Sequence, residues 1–283
     1  MDVAVHIIGL VVPDLVDTHY ADVARAVAEV MHPKGYTVLI SNSDGDPAAE
    51  ERAIALLLAC RQVDGLILAS CQPPDNADLF RRIEKHKTPY VLIDRTFPGV
   101  EANYVGANDE EIGVAATEHL IARGCRHIAH IRGPETSSGL GRFHGYRAAL
   151  VRHSLKVCPG YVAAGGASDT AGYEAMRKLL SVSPRIDGVV CFNDAVAVGA
   201  IKAILEAGLE IPYDIEVVGA GNVHYSDILR VPLSTIDLNS ALTGRQAAEI
   251  LLELLEAKEP PPPRTVLVPF EVIARESSKA TCV

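Results

Sequence analysis

Seven short apolar runs punctuate the chain: Val3–Val12, Thr37–Ser41, Gly65–Ala69, Tyr90–Ile93, His127–Ile131, Gly188–Cys191 and Ile215–Val218. Most are near-continuous rather than alternating, which is the pattern of strands buried on both faces. Between them lie stretches with apolar positions at helical spacing. Tyr20–Met31 sets Val23, Val27 and Val30 on one face, and Ala48–Ala59, Glu110–Arg123, Arg142–Arg152, Ala171–Leu180, Ala195–Ala207 and Ala241–Ala257 follow the same rule. Gly35, Gly124 and Gly208 stand just past helix ends, where a left-handed residue closes the last turn. Strands alternating with helices predict parallel sheets with right-handed crossovers. The units are too many for one comfortable sheet, so the pattern predicts an α/β protein of two Rossmann-like subdomains with a ligand cleft. The first run ends in Val12-Pro13-Asp14, and small molecules bind outside the carboxyl ends of such strands. The four prolines Pro260–Pro263 read as a rigid connection between subdomains, ahead of a last strand Thr265–Ile273.

Composition narrows the function classes. The chain has 283 residues, 48% of them hydrophobic, which is enough for a sizeable core. The net charge of −10 repels phosphate backbones and argues against nucleic-acid binding by this polypeptide alone. No run of about 20 apolar residues is present, so no membrane span is expected. The N-terminus lacks the features of a secretory signal. The six cysteines, Cys60, Cys71, Cys125, Cys158, Cys191 and Cys282, show no CxxC spacing. They read as reduced thiols and favour the cytoplasm.

Catalytic motifs are missing. There is no GxxxxGK[ST], no GxSxG and no HExxH. Gly139-Leu140-Gly141-Arg142-Phe143-His144 starts like a dinucleotide fingerprint, but His144 takes the place of its third glycine. His127 and His130 lie three apart on a strand and point to opposite faces, which argues against a shared metal. The expectation is a protein that is not an enzyme and uses no metal or cofactor.

A series of segments, in order, resembles the effector-binding core of LacI-type transcriptional regulators. They are Ile8–Leu15, Asn42–Pro47, Val63–Leu68, Val91–Arg95, Thr117–Leu120, Arg142–Leu150, Phe192–Ala200, Pro212–Gly219, Pro232–Ile236 and Val272–Ser277. The resemblance implies a type I periplasmic-binding-protein-like fold with three crossovers. One subdomain would comprise 1–107 plus 238–262, the other 108–237 plus 263–283. It implies a small-molecule effector, a homodimer, and operator DNA read only through an N-terminal helix-turn-helix absent from this chain. A transport-type periplasmic solute-binding protein is the alternative.

The resemblance also nominates binding residues. Arg142 matches a pocket arginine whose guanidinium would grip hydroxyls or carboxylates. Asn193 matches a pocket asparagine, and Asp194 reads as the N-cap of the next helix. Asp14 and Asp94 stand at strand exits, and His19, Tyr20 and Asn222 complete the set. The departures are informative. Asp17-Thr18-His19-Tyr20 is more polar than the family's usual Asn-Pro-Phe-Phe. Gly221 stands where an aspartate commonly grips sugar hydroxyls, and Ala167 where an aromatic wall is usual. Together they argue against a standard hexose and leave a sugar-acid-like metabolite as the attractive ligand. The dimer is expected to use the 76–86 region, the 195–206 helix and the Tyr225–Pro232 loop.

Overall fold

The computed structural model describes residues 6–59, 63–73, 76–183 and 185–278. In chain order the elements are β1 (His6–Val12), α1 (Thr18–Met31), β2 (Tyr36–Asn42), α2 (Pro47–Ala59), β3 (Gly65–Leu68), α3 (Asp78–Lys85), β4 (Tyr90–Ile93) and β5 (Asn103–Gly106). There follow α4 (Asp109–Ala122), β6 (Ile128–Arg132), α5 (Ser137–Arg152), β7 (Val162–Ala164), α6 (Asp169–Leu179), β8 (Gly188–Cys191), α7 (Asp194–Glu206) and β9 (Glu216–Val218). The chain ends with β10 (Thr235–Asp237), α8 (Ser240–Glu256), β11 (Thr265–Leu267) and β12 (Glu271–Ile273). It divides into two compact units, one holding residues up to Ala107 plus Asn239–Val268, the other Asn108–Leu238 plus the residues from Pro269 onward.

Unit 1 is a six-stranded sheet in the order β11-β5-β4-β3-β1-β2, parallel throughout. Its strands read as continuous apolar runs because both faces are covered. Ile8, Leu10 and Val12 point to α1 and α8, where Val23, Val27, Ala247 and Leu251 meet them. Val11 points the other way, to Ile54 and Leu57 of α2 and Leu79 and Phe80 of α3. A fully buried Leu or Ile of this kind is worth about 1.5–3 kcal/mol.

Unit 2 has a four-stranded parallel sheet, β7-β6-β8-β9, and a small antiparallel pair, β10-β12. Ala129 and Ile131 face α6 and α7. The intervening His130 turns to the opposite face and stacks on Tyr146 of α5, at 5.0 Å between ring centroids. His127, further exposed and beside Asp187, is not part of that stack.

Three expectations are corrected. The third crossover falls between Val268 and Pro269, not before residue 263, because β11 pairs with β5 inside unit 1. Pro260–Pro263 therefore joins α8 to β11 within one unit instead of connecting two. The single last strand Thr265–Ile273 is two strands in two sheets, broken at Pro269. Residues 3–5 of the first strand, Cys60 and Cys282 lie outside the described residues.

Candidate functional site

Parallel sheets place all strand exits of a unit on one edge, and both units carry nominated residues there. In unit 1, β1 leaves through Pro13 into Asp14, whose carboxylate accepts the Val16 amide at 2.7 Å and sets a tight turn. Asp17 then caps α1 by accepting the His19 amide at 3.0 Å. This cap puts His19 and Tyr20 in the first helical turn. His19 Nε2 lies 2.7 Å from Asp94 Oδ2, and His19 Nδ1 lies 2.7 Å from Ser240 Oγ at the start of α8. Tyr20 meets the His19 ring edge-on at 4.9 Å and packs into the unit 1 core. Asp94 directly follows β4 with φ of 57°, a left-handed conformation that aspartate tolerates better than most residues. The next residue, Arg95, is buried and donates from Nη1 to the Ser70 carbonyl at 3.1 Å.

In unit 2 the central feature is Arg142, in the second turn of α5 and only 9% exposed. Its Nε donates to Asp109 Oδ1 at 2.9 Å, and its Nη1 to the Phe192 carbonyl at 2.7 Å. Its guanidinium carbon sits 4.8 Å from the Phe192 ring centroid. Close packing of α4 on α5 makes this pair possible. A side chain at Gly113 would collide with the Arg142 carbonyl, and one at Gly145 with the Glu110 carbonyl. A side chain at Gly141, one of the two glycines of the incomplete dinucleotide fingerprint, would crowd Asp109 of α4.

The remaining unit 2 residues are held mainly by their own fold. Asn193, not Asp194, is the N-cap of α7: its Oδ1 accepts the Val196 amide at 2.9 Å and its Nδ2 donates to the Ala167 carbonyl at 3.0 Å. Asp194, the first helical residue, instead accepts Thr235 Oγ1 at 2.6 Å and the Val223 amide at 2.9 Å, which fixes the 220–223 turn. Asn222 donates to Asp237 and accepts from Arg275 Nη2 at 2.8 Å. Its φ is 50°, so its main role in this geometry is to close a turn.

A model of the periplasmic binding protein-like domain matches residues 117–278. The ribose operon repressor of Halalkalibacterium halodurans is 31% identical over 273 residues, covering 96% of this chain and 79% of that protein. The repressor PurR of Haemophilus influenzae is 30% identical over 254 residues, covering 89% and 74%. The chain belongs to the LacI family of transcriptional regulators. Among solved structures, the regulator CelR in complex with cellobiose superposes with a TM-score of 0.87 at 25% identity, over 97% of this chain and 86% of that one. The curated relatives are repressors, and nothing in them favours the transport reading.

Within this LacI-type core, the structure assembles His19, Tyr20 and Asp94 into one cluster, with Asp14 at the same strand-exit edge. Arg142 and Asn193 share the corresponding edge of unit 2, linked through Phe192. Sequence reasoning missed Asp109 and Ser240. Asn108-Asp109-Glu110-Glu111 signals a capped helix start, and Asn108 does cap α4. Nothing local signals that Asp109 pairs with an arginine 33 residues on. Ser240 gave no signal beyond its place at a helix start.

Proposed function

We propose that this chain is the effector-sensing and dimerisation core of a cytoplasmic, non-enzymatic transcriptional regulator, and that its effector is a sugar or sugar-acid-like metabolite. The observation that carries the reading is the buried Arg142 guanidinium. Asp109 and the Phe192 carbonyl hold it in one orientation at the strand-exit edge, so its remaining N–H donors are fixed in direction before any ligand arrives. A fork fixed in this way suits a carboxylate or paired hydroxyls. Asp14 and Asp94 supply acceptors for hydroxyl donors on the unit 1 edge. Similarity to a ribose operon repressor and to a regulator in complex with cellobiose supports the sugar class.

A thermal-shift panel of D-ribose, cellobiose, D-glucose and D-gluconate tests it. A ligand at 100 times its Kd should stabilise the chain by roughly 2.7 kcal/mol. Arg142→Ala should then weaken calorimetric binding by at least about tenfold, equivalent to the loss of a charge-assisted hydrogen bond. A panel without a stabilising member, or unchanged affinity in the variant, overturns the reading.

The proposed dimer rests on a second observation. A groove of 380 Å³ runs between α7 and the loop after β9, with Val198, Ile201, Leu205, Leu229 and Val231 as its apolar lining and Lys202, Glu206 and Arg230 also lining it. Leu229 and Val231 partly pack on the unit 2 core, but Ile228 is 80% exposed beside them. An apolar groove rimmed by an exposed isoleucine suits association with a second copy.

A further inference from the structure

The Ser240–His19–Asp94 chain joins three elements that are far apart in sequence: the start of α8, the first turn of α1 and the exit of β4. Each link is 2.7 Å long. A carboxylate only accepts, so His19 Nε2 carries the proton in the link to Asp94. In the neutral ring, Nδ1 is then an acceptor and Ser240 Oγ–H donates to it. With a neutral ring the donor order runs from Ser240 through His19 to Asp94. Serine, histidine and aspartate are also the makings of a hydrolase triad, but burial runs the wrong way for one. Ser240 and His19 are each 8% exposed, while the Asp94 side chain is 18% exposed. The group offered outward is the carboxylate, not the hydroxyl.

Ser240 has a second distinction. Asn239 and Ser240 are the first residues of unit 1 after the second crossover, and Asn239 there adopts a left-handed conformation with φ of 55°. The Asn239 carbonyl accepts the Leu242 and Thr243 amides and so starts α8. Asp94 at the other end is also left-handed, and its amide bonds the Val105 carbonyl at 3.1 Å. Two unusual backbone conformations, one at the strand exit and one at the crossover, are thus strapped together by one imidazole.

We propose that Ser240 and His19 are positioning residues: they hold Asp94 as a fixed hydrogen-bond acceptor for the effector's hydroxyl or N–H donors, and couple that acceptor to the crossover at 239. The inference rests on the reading that this strand edge takes the effector, but its test uses the chain without one. Long-range 1H–15N spectra of the labelled protein should show His19 as a single Nε2–H tautomer. Ser240→Ala should abolish that single form and accelerate hydrogen exchange of the Asp94 and Arg95 amides at least about threefold, a low value for one hydrogen bond. Ser240→Thr, which keeps a hydroxyl, should restore both. Asp94→Asn should accelerate exchange at Leu242 and Thr243, the far end of the strap, because coupling is reciprocal. An unaltered His19 tautomer in Ser240→Ala overturns the proposal. So does equal disturbance by threonine and alanine, or an Asp94→Asn effect confined to residues 92–97. A failed effector panel with these spectra intact would instead count against the functional reading alone.

Discussion

Glu216 allows a test of unit 2 far from the strand-exit edge. It is the first residue of β9, at the entry end of the parallel strands, and only 5% exposed. One carboxylate oxygen, Oε2, is buried without a hydrogen-bond partner. Burial raises its pKa from 4.5 to about 7, with the Asp187 carboxylate adding to the rise and Arg123 opposing it. The unfolded chain deprotonates near 4.5, whereas the folded chain keeps the proton until about 7. Between those values the folded state binds more protons, so this group's contribution to stability is complete below pH 4.5 and is lost as pH rises to 7. At about 1.4 kcal/mol per decade of pH, the loss is bounded at roughly 3 kcal/mol. Glu216→Gln removes the titration, though its amide carries its own, pH-independent burial cost of about 1–3 kcal/mol. The diagnostic is therefore the pH slope, not stability at one pH.

His130 carries the opposite slope. It is fully buried, and neither ring nitrogen makes a hydrogen bond of good geometry. Burial lowers its pKa to about 3; the Val190 backbone opposes that shift, and the Arg132 and Arg142 charges each add a smaller lowering. Its contribution is present above the unfolded value of 6.5 and is lost as pH falls toward 3. Between pH 4.5 and 6.5 the two groups oppose each other in the wild type. Urea unfolding at fixed ionic strength, in half-unit pH steps from 4.5 to 8, should expose each in turn. Glu216→Gln should become steadily more stable up to pH 6.5, and the gap between its curve and the wild type should widen by up to roughly 3 kcal/mol, equivalent to about 5–10 °C in Tm. His130→Phe should slope the other way. Parallel wild-type and Glu216→Gln curves across pH 5–8, with unchanged m-values, would refute the assignment.

Other substitutions probe the site and its surroundings. Asp109→Ala leaves the Arg142 guanidinium without its carboxylate and should cost about 3 kcal/mol in urea unfolding, while adding Arg142→Met should recover part of that loss; additive losses would show that the pair does not couple. Gly221→Asp should destabilise by more than about 1 kcal/mol, and should not create a sugar grip, because Gly221 has φ of 138° and a new side chain would approach the Asp194 carboxylate; tight glucose binding by this variant in calorimetry would overturn that account. Wild-type protein should sediment as a dimer at micromolar concentration and Ile228→Glu as a monomer, and a monomeric wild type would remove the α7 groove from the dimer.

What the sequence conveyed depended on the range of the interaction involved. Strands such as Tyr90–Ile93 and Gly188–Cys191 coincide with their apolar runs because a strand covered on both faces must be apolar at every position. The short strands β5, β7 and β10 are not legible, since three or four residues carry too little pattern and their pairing partners decide them. Pro260–Pro263 was legible as a stiff segment but not as one lying inside unit 1, because that depends on β11 finding β5 about 160 residues away. Arg142 is found through its motif, whereas Gly139 and Gly141 before it read only as an incomplete dinucleotide fingerprint. The role of Gly141 depends on α4, whose Asp109 and Glu110 meet it from another part of the chain. Asn193 takes the cap expected of Asp194 for a similar reason. Either can cap a helix, and the choice was made by Thr235 and Val223, which engage the aspartate and leave the cap to the asparagine. A short polar side chain at a strand exit has several local uses of nearly equal energy, each worth about 1 kcal/mol, so a single long-range hydrogen bond selects among them. That near-degeneracy makes residue types at such edges easy to nominate from sequence, while their roles wait on the fold.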